Sequence, residues 1–524
     1  MSLDKLNEWA ELAVQKMNYS DFRGALNLTR QMQSLGPHYL VSYVASGLLI
    51  DIGNALKDEK ILREGAELLQ KDLEAIIHKK KYASSAYYNL ANAHSGLFDL
   101  EKMKNPYLAC FARTRLDQAK FYYSKAMKKV EDPALLSQIL VNLGNCFDNL
   151  GRVIDALECY DKSLELNPNH GMALGNKGQA LLHYAALSGE HQGTFIVEAY
   201  SLLSRALESG VPTEAISSFE EYLKFIKKKY PNKQFLETQP GYPGYAIKAR
   251  SKLERFLIEF CLRNRLYLNI CNFCQKCDAA IGDTAVIKKM IVPANKNFYL
   301  ASSAYLNHIK QDFVTARFLL VLSRYEGLNL NFADKRVRIT NTLDNSIHNI
   351  YVQLVKASFR IFYDILDKIA YFINDYLRLG IPERKIDFQR LWWAKDGTIR
   401  KEIQNTKNLS LSALFDISRD LEEGPNRKLR DIRNALTHRF VNVRLSQESE
   451  DEENMTENTL VEQTLELARI VRSSIIYLLH FVHIEESKKE ARTKGLRIPM
   501  LAHDLRDNLK AIRKSQSKHR KGKG

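Results

Sequence analysis

The feature that most constrains how this 524-residue chain can fold is a spacing pattern between Ser137 and His170. Leu140, Leu143, Gly144, Phe147, Ala156, Tyr160 and Pro168 are placed so that two helices can pack antiparallel within that window. Gly144 and Ala156 are small where the helices approach, Phe147 and Tyr160 fill the space beside them, and Pro168 ends the second helix. One such pair cannot bury its own apolar face, so the pattern demands neighbours.

The neighbours are present in register. Downstream, Leu174, Gly178 and Leu181 restart a first helix, and Ala199, Leu203 and Ala206 complete a second after an insertion through Ser188-Gly189-Glu190. Upstream, Trp9, Leu12, Ala13, Ala25 and Pro37 make a first unit. Between them, Tyr87, Leu90, Ala91, Ala119, Tyr123 and Ala126 make a unit with an enlarged central loop, and Ala66 falls in the second helix of another. That is about five imperfect units over residues 5–210, enough to bury a continuous core by stacking. The pattern resembles tetratricopeptide repeats, with Ser163 standing where that family usually has alanine. The resemblance implies a helical solenoid whose concave face grips a protein partner, a trigger or an inhibitor. Self-association, or covering the C-terminal half, stays open as the alternative.

Composition adds limits. With 45% hydrophobic and 26% charged residues the chain reads as globular, and its length allows two to four domains. Met1 to Tyr19 carries early acids on a helical pattern and reads as neither a signal nor a transit peptide. Apolar runs such as Ile475 to Leu479 fall short of the roughly 20 residues that span a bilayer. The expectation is a cytoplasmic protein with no membrane partner. Seven cysteines, an odd number, fit reduced thiols better than a disulfide framework. The net charge of +16 is uneven: Arg506 to Gly524 holds eight basic residues against Asp507, whereas Glu448 to Glu457 holds six acids and no base. The first is a tail that either attracts phosphate backbones or is merely solvated. The second is expected to be an exposed loop.

Proline and glycine cluster in Gln239-Pro240-Gly241-Tyr242-Pro243-Gly244, which marks a domain boundary. Beyond it, Cys271, Cys274 and Cys277 recur every third residue. Thiolates so spaced can hold zinc, with Cys261 or His308 as a fourth ligand. On a helix the same cysteines form an apolar stripe of buried thiols. Both readings stand, and no cofactor is otherwise expected. The resulting division is a solenoid over 1–225, a hinge and cysteine-containing connector over 226–292, a helical domain over 293–490 and a basic tail over 491–524.

From Lys296 onward the pattern predicts long helices: Tyr299–Tyr325, Arg338–Leu379, a short one at Asp387–Trp393, then Ser410–Asp420, Arg427–Val441 and Thr459–His483. The chain is therefore expected to be all-α, a solenoid followed by a helical bundle. It has no Walker loop, dinucleotide fingerprint, nucleophile elbow or His-Glu-x-x-His. It does have Arg433-Asn434-Ala435-Leu436-Thr437-His438, which pairs a permanent cation with the side chain that exchanges protons near neutral pH.

Arg433-Asn434-x3-His438 on a late helix of an all-α domain resembles the signature of the HEPN superfamily, the "higher eukaryotes and prokaryotes nucleotide-binding" domains. That resemblance implies a metal-independent endoribonuclease leaving a 2′,3′-cyclic phosphate and a 5′-hydroxyl, of the kind found in toxins, abortive infection and antiviral defence. RNA supplies its own nucleophile, the 2′-hydroxyl, so the protein need only align it, move protons and neutralise charge. His438 is expected to transfer protons, Arg433 to hold the scissile phosphate, and Asn434 to orient the imidazole or a phosphate oxygen. Arg430 and Arg439 are further candidates for RNA binding.

Geometry qualifies this picture. On an ideal helix Arg430, Asn434 and His438 share a face, whereas Arg433 points well away from His438. Either the helix distorts inside the motif, or a homodimer assembles the site from both chains, as the resemblance implies. Two plainer readings stand beside it: His438 capping a helix end or pairing with the acidic loop, and a non-catalytic adaptor that binds protein through its repeats and nucleotide or RNA through its bundle. Trp392 and Trp393, flanked by Arg390 and Lys395, could stack bases or pack in a core.

Overall fold

The computed structural model describes residues 3–105, 111, 114–188, 192–238, 247–273, 278–287, 290–291, 301–341, 343–445 and 454–492. In the N-terminal half α1 (Leu3–Asn18) pairs with α2 (Phe22–Met32), and α3 (Tyr39–Leu56) with α4 (Glu59–Lys71). After the short α5 (Leu73–Ile77), α6 (Lys80–Lys104) pairs with α7 (Thr114–Met127), α8 (Pro133–Asn149) with α9 (Val153–Leu166), and α10 (Gly171–Ser188) with α11 (Gln192–Glu208). Then α12 (Thr213–Lys229) and α13 (Lys233–Glu237) pack on the last pair.

These hairpins follow from the small residues and caps in the sequence. Asp21, Asp58 and Asp132 accept amide hydrogens at the starts of α2, α4 and α8. A Cβ on Gly144 would lie 2.6 Å from the Tyr160 ring, so α8 and α9 approach only because that position is bare. Ala13, Ala25, Ala91, Ala119, Ala126, Ala156, Ala199 and Ala206 are all fully buried between helices. The all-α solenoid expected from the spacing is the one observed. Gly189, Glu190 and the Gln239–Gly244 run lie outside the described residues.

Past α14 (Lys252–Arg263) the chain is held from two sides. The Tyr184 hydroxyl of α10 donates to the Ile270 carbonyl at 3.0 Å. From α15 (Ala301–Arg324), Arg317 grips Asp283 through both Nη atoms at 2.8 and 2.7 Å and also donates to the Leu266 carbonyl at 2.9 Å. The bundle is completed by α16 (Ile350–Leu377), α17 (Lys401–Gln404), α18 (Leu409–Glu422), α19 (Arg427–His438) and α20 (Glu457–Arg492). Its core lies between α15, α16, α18 and α20, with Phe359, Phe362, Ile369 and Ile373 of α16 fully buried.

Three expected elements come out differently. The helix expected to start at Arg338 begins only at Ile350, capped by the Asn349 side chain. Upstream, Asn341 and Asp344 accept hydrogen bonds from the amides of Leu343 and Ser346, turns that compete with helix. Likewise Asp387 accepts from the amides of Gln389 and Arg390, so Asp387–Trp393 forms turns rather than a short helix. Finally α19 ends at His438, and Val441 leads into β1 (Asn442–Arg444), which pairs in parallel with β2 (Asn454–Thr456). Val443 and Met455 are buried beneath this ribbon. Glu448 to Glu453 lie outside the described residues.

Among the described residues two helices, α3 and α20, are long and apolar enough to cross a membrane by length and composition alone. In α20 the apolar window is 78% buried against other helices, which accounts for its composition as core packing.

The two halves meet through charge as well as apolar contact. Lys120 of α7 and Arg152, in the turn between α8 and α9, both reach Asp416 and Asp420 on α18. Arg152 also binds Asp155, whose carboxylate accepts from the Tyr477 hydroxyl of α20 at 2.9 Å. Nearby on α20, His480 is buried with no partner for Nδ1, and burial, with His483 close by, pushes its imidazole down to about 3. The folded pKa lies below the unfolded value near 6.5, so the unfolded chain binds the extra proton and stability falls as pH drops through that window. We expect His480→Leu to remove this dependence: wild type should lose about 2 kcal/mol more than the variant between pH 7.5 and pH 5. Urea denaturation at both pH values measures the difference.

Candidate functional site

Leu429, Ile432, Ala435 and Leu436 form the buried face of α19, turned onto α16 and α18. That spacing leaves Arg430, Arg433 and Asn434 at the edge of the packed face, where they line a cleft of about 230 Å³. Tyr363 and Asp367 of α16 and the turn residues Asp387 and Gln389 form its other walls.

Arg433 is held without being saturated. Its guanidinium carbon lies 5.4 Å from the Tyr363 ring centre, Nη1 donates to Asn434 Oδ1 at 3.2 Å, and Nη2 faces Asp367 Oδ2 at 3.9 Å. Its Nε is buried with no hydrogen-bond partner, and so is that of Arg430, which faces Asp431 Oδ1 at 3.7 Å. Two guanidinium edges with unused donors beside a cleft suit an anionic oxygen. Asp367 is itself fixed by the Phe388 amide at 3.0 Å. Burial raises the carboxyls of Asp364 and Asp367, and Arg433 opposes the rise in both. Burial also raises the Tyr363 phenol, which accepts from Gln389 Nε2 at 3.4 Å.

His438 is elsewhere. It is the last residue of α19, exposed, and five positions past Arg433, which on a regular helix is a rotation of about 140°. The helix runs unbroken through the motif, so of the two geometries open to the sequence the distorted helix is not the one present. One chain thus brings together Arg430, Arg433 and Asn434 and leaves His438 outside their cleft. Arg439 is exposed at the C-cap.

Other candidates resolve separately. Trp392 is a core residue, fully buried with Nε1 donating to the Phe388 carbonyl, while Trp393 packs on Phe415. Cys271 is buried and Cys261 is buried with its thiol pushed up to about 12 by burial, whereas His308 is exposed. Cys274 and Cys277 lie outside the described residues, as does the basic tail. Tyr363 and Asp367 were not foreseen. Their signal was the pair of acids at 364 and 367 interrupting an otherwise apolar helical stripe.

Residues 298–485 match the LA2681-like HEPN family model. This chain carries a HEPN domain. Residues 137–170 match the tetratricopeptide repeat model, the window in which the repeat spacing is clearest. A curated relative, "Photosystem I assembly protein Ycf3" of Acaryochloris marina (strain MBIC 11017), is 46% identical over 68 residues, which is 13% of this chain and 40% of that protein. The HEPN model spans the cleft, α19 and most of α20. Ribonucleases are common among HEPN domains, and tetratricopeptide repeats are protein-interaction modules.

The cleft sets Arg430 and Arg433 against Asp367 and Asp387, and Arg433 also acts on Asp364, which has a stability consequence. Arg433→Ala leaves Asp364 to Lys368 and Arg360 and Asp367 to the Phe388 amide, so their folded pKa values climb further above the unfolded ones. Acids of that kind destabilise the fold when ionised and stop doing so once protonated. The variant should therefore be less stable than wild type by about 1 kcal/mol at pH 8 and show a smaller deficit at pH 5, measured by chemical denaturation.

Proposed function

We propose that the protein is a metal-independent endoribonuclease of the toxin or antiviral effector type, controlled through its repeats. The observation that carries this reading is the set of unsaturated guanidinium edges of Arg430 and Arg433, beside Asn434, in the HEPN cleft. Arg433 binds the scissile phosphate and offsets charge on the phosphorane as the 2′-hydroxyl attacks. His438 moves the proton, leaving a 2′,3′-cyclic phosphate and a 5′-hydroxyl.

Since His438 and the cleft diverge within one chain, the working site pairs the cleft of one copy with His438 of a second. Exposed apolar side chains on the segment after His438, and on a loop bonded to that segment, support this. Phe440 is 64% exposed, Leu445 77% and Leu343 87%, and the backbone joins the last two loops, Leu445 N donating to the Asn345 carbonyl at 3.2 Å. Large apolar side chains left exposed on these two segments suit cover by a second copy.

The same divergence favours a second reading, an adaptor in which the cleft of a single chain binds nucleotide or RNA without cutting it. Cleavage of transfer or total RNA in EDTA separates the two. Wild type should cut and leave cyclic phosphate ends, and both Arg433→Ala and His438→Ala should be inactive. Mixed and refolded together, the two inactive variants should recover about a quarter of wild-type activity, because half of the dimers are mixed and each holds one intact composite site. No recovery, with mixed dimers confirmed by mass, would place both residues in one chain; no cleavage at all would favour the adaptor.

A further inference from the structure

The contact between the solenoid and α18 has properties that a simple adhesive surface lacks. Lys120 Nζ lies 2.8 Å from both oxygens of Asp416 and 2.7 Å from Asp420, and Arg152 Nη1 lies 2.9 and 2.5 Å from the same two carboxylates. All four side chains are at least 95% buried. The cations belong to different repeat units, Lys120 to the α6–α7 pair and Arg152 to the α8–α9 pair. Both carboxylates can be shared only at one angle between those units, so the cluster reads the curvature of the solenoid at that joint.

The joint has little slack. Gly151 has φ +80°, and a Cβ there would sit 2.2 Å from the Leu409 carbonyl oxygen at the start of α18. At the other end of α18 the Asp420 carbonyl accepts from the amide of Asn426, the residue before α19, at 3.1 Å. A Cβ on Gly424 would lie 2.6 Å from the Asp420 Cα, so the connection is packed tight as well. One residue, Asp420, thus holds the solenoid through its side chain and α19 through its backbone.

We propose that the Lys120, Arg152, Asp416 and Asp420 cluster is the coupling element through which the angle between the third and fourth repeat units sets the position of α19. A ligand that changes this angle breaks the shared ion pairs, frees α18 and shifts Arg430 and Arg433 relative to α16. The regulatory meaning rests on the ribonuclease reading; the mechanical coupling does not.

Hydrogen exchange of the full-length protein tests it. The double variant Lys120→Met/Asp420→Asn removes one cation and one anion together and keeps the Arg152 pair with Asp416. Peptides covering residues 427–438 should exchange about tenfold faster or more than in wild type, while those within α10 and α11 stay within about twofold. Lys177→Met, which removes two ion pairs inside the solenoid, to Asp161 and Glu198, should leave 427–438 unchanged. Unchanged exchange at 427–438 in the double variant, or equal acceleration throughout, overturns the proposal. If circular dichroism shows the double variant unfolded, Asp420→Asn alone, which keeps the shape of the side chain, is read by the same criteria. Exchange does not depend on cutting RNA. Faster exchange at 427–438 with no cleavage by wild type removes the ribonuclease reading alone, and cleavage with unmoved exchange removes the coupling alone.

Discussion

Four charges with almost no contact with water, set beside an apolar core that both halves share, fix how the two halves of this protein meet. Burying Lys120, Arg152, Asp416 and Asp420 is costly unless every ion is matched, and the match extends through Asp155 to Tyr477, whose hydroxyl also accepts from the Ile154 amide. An apolar seam tolerates sliding, whereas a buried ionic one permits a single registration. The position of α18, and therefore of everything that follows it, depends on that registration.

The HEPN site is built on α16 and on α19, the helix that follows α18 in the chain and packs against it. Arg433 is oriented by an aromatic ring and a carboxylate from α16, and Arg430 faces Asp431 on its own helix, so both are placed before any ligand arrives. Orientation by Asp367 also lowers the positive field of an empty cleft. An incoming phosphate must offer better geometry than a carboxylate at 3.9 Å, which a bidentate contact does. The arrangement favours a charged oxygen at a defined point over general attraction to nucleic acid.

Much of the fold was legible in the sequence. Glycine and alanine at fixed offsets located the hairpins because close helix contact excludes larger side chains, and helical periodicity set Arg433 and His438 on different faces of any undistorted helix. The misread parts were those decided by local polar competition, as at Asn341 and Asp344, or by distant partners. Nothing near Asp416 marks it as the partner of Lys120, 296 residues away. Nor does the run Asp387 to Trp393 show that Asp387 turns the chain so that Trp392 enters the core. Tyr363 and Asp367 were findable as polar interruptions of an apolar stripe, but their partner Arg433 lies on another helix, beyond the reach of any local pattern.

The length and place of α20 have a consequence for the newly made chain. This helix of 36 residues supplies the centre of the C-terminal core and comes last of the described elements. During synthesis the repeats are complete and can stack while α16, α18 and α19 still lack the surface they close against. The HEPN domain therefore assembles onto a solenoid that already presents Lys120 and Arg152, and its cleft takes shape only after the surface that α18 docks on exists. Birth order alone makes the solenoid the template and the cleft the last part to be built.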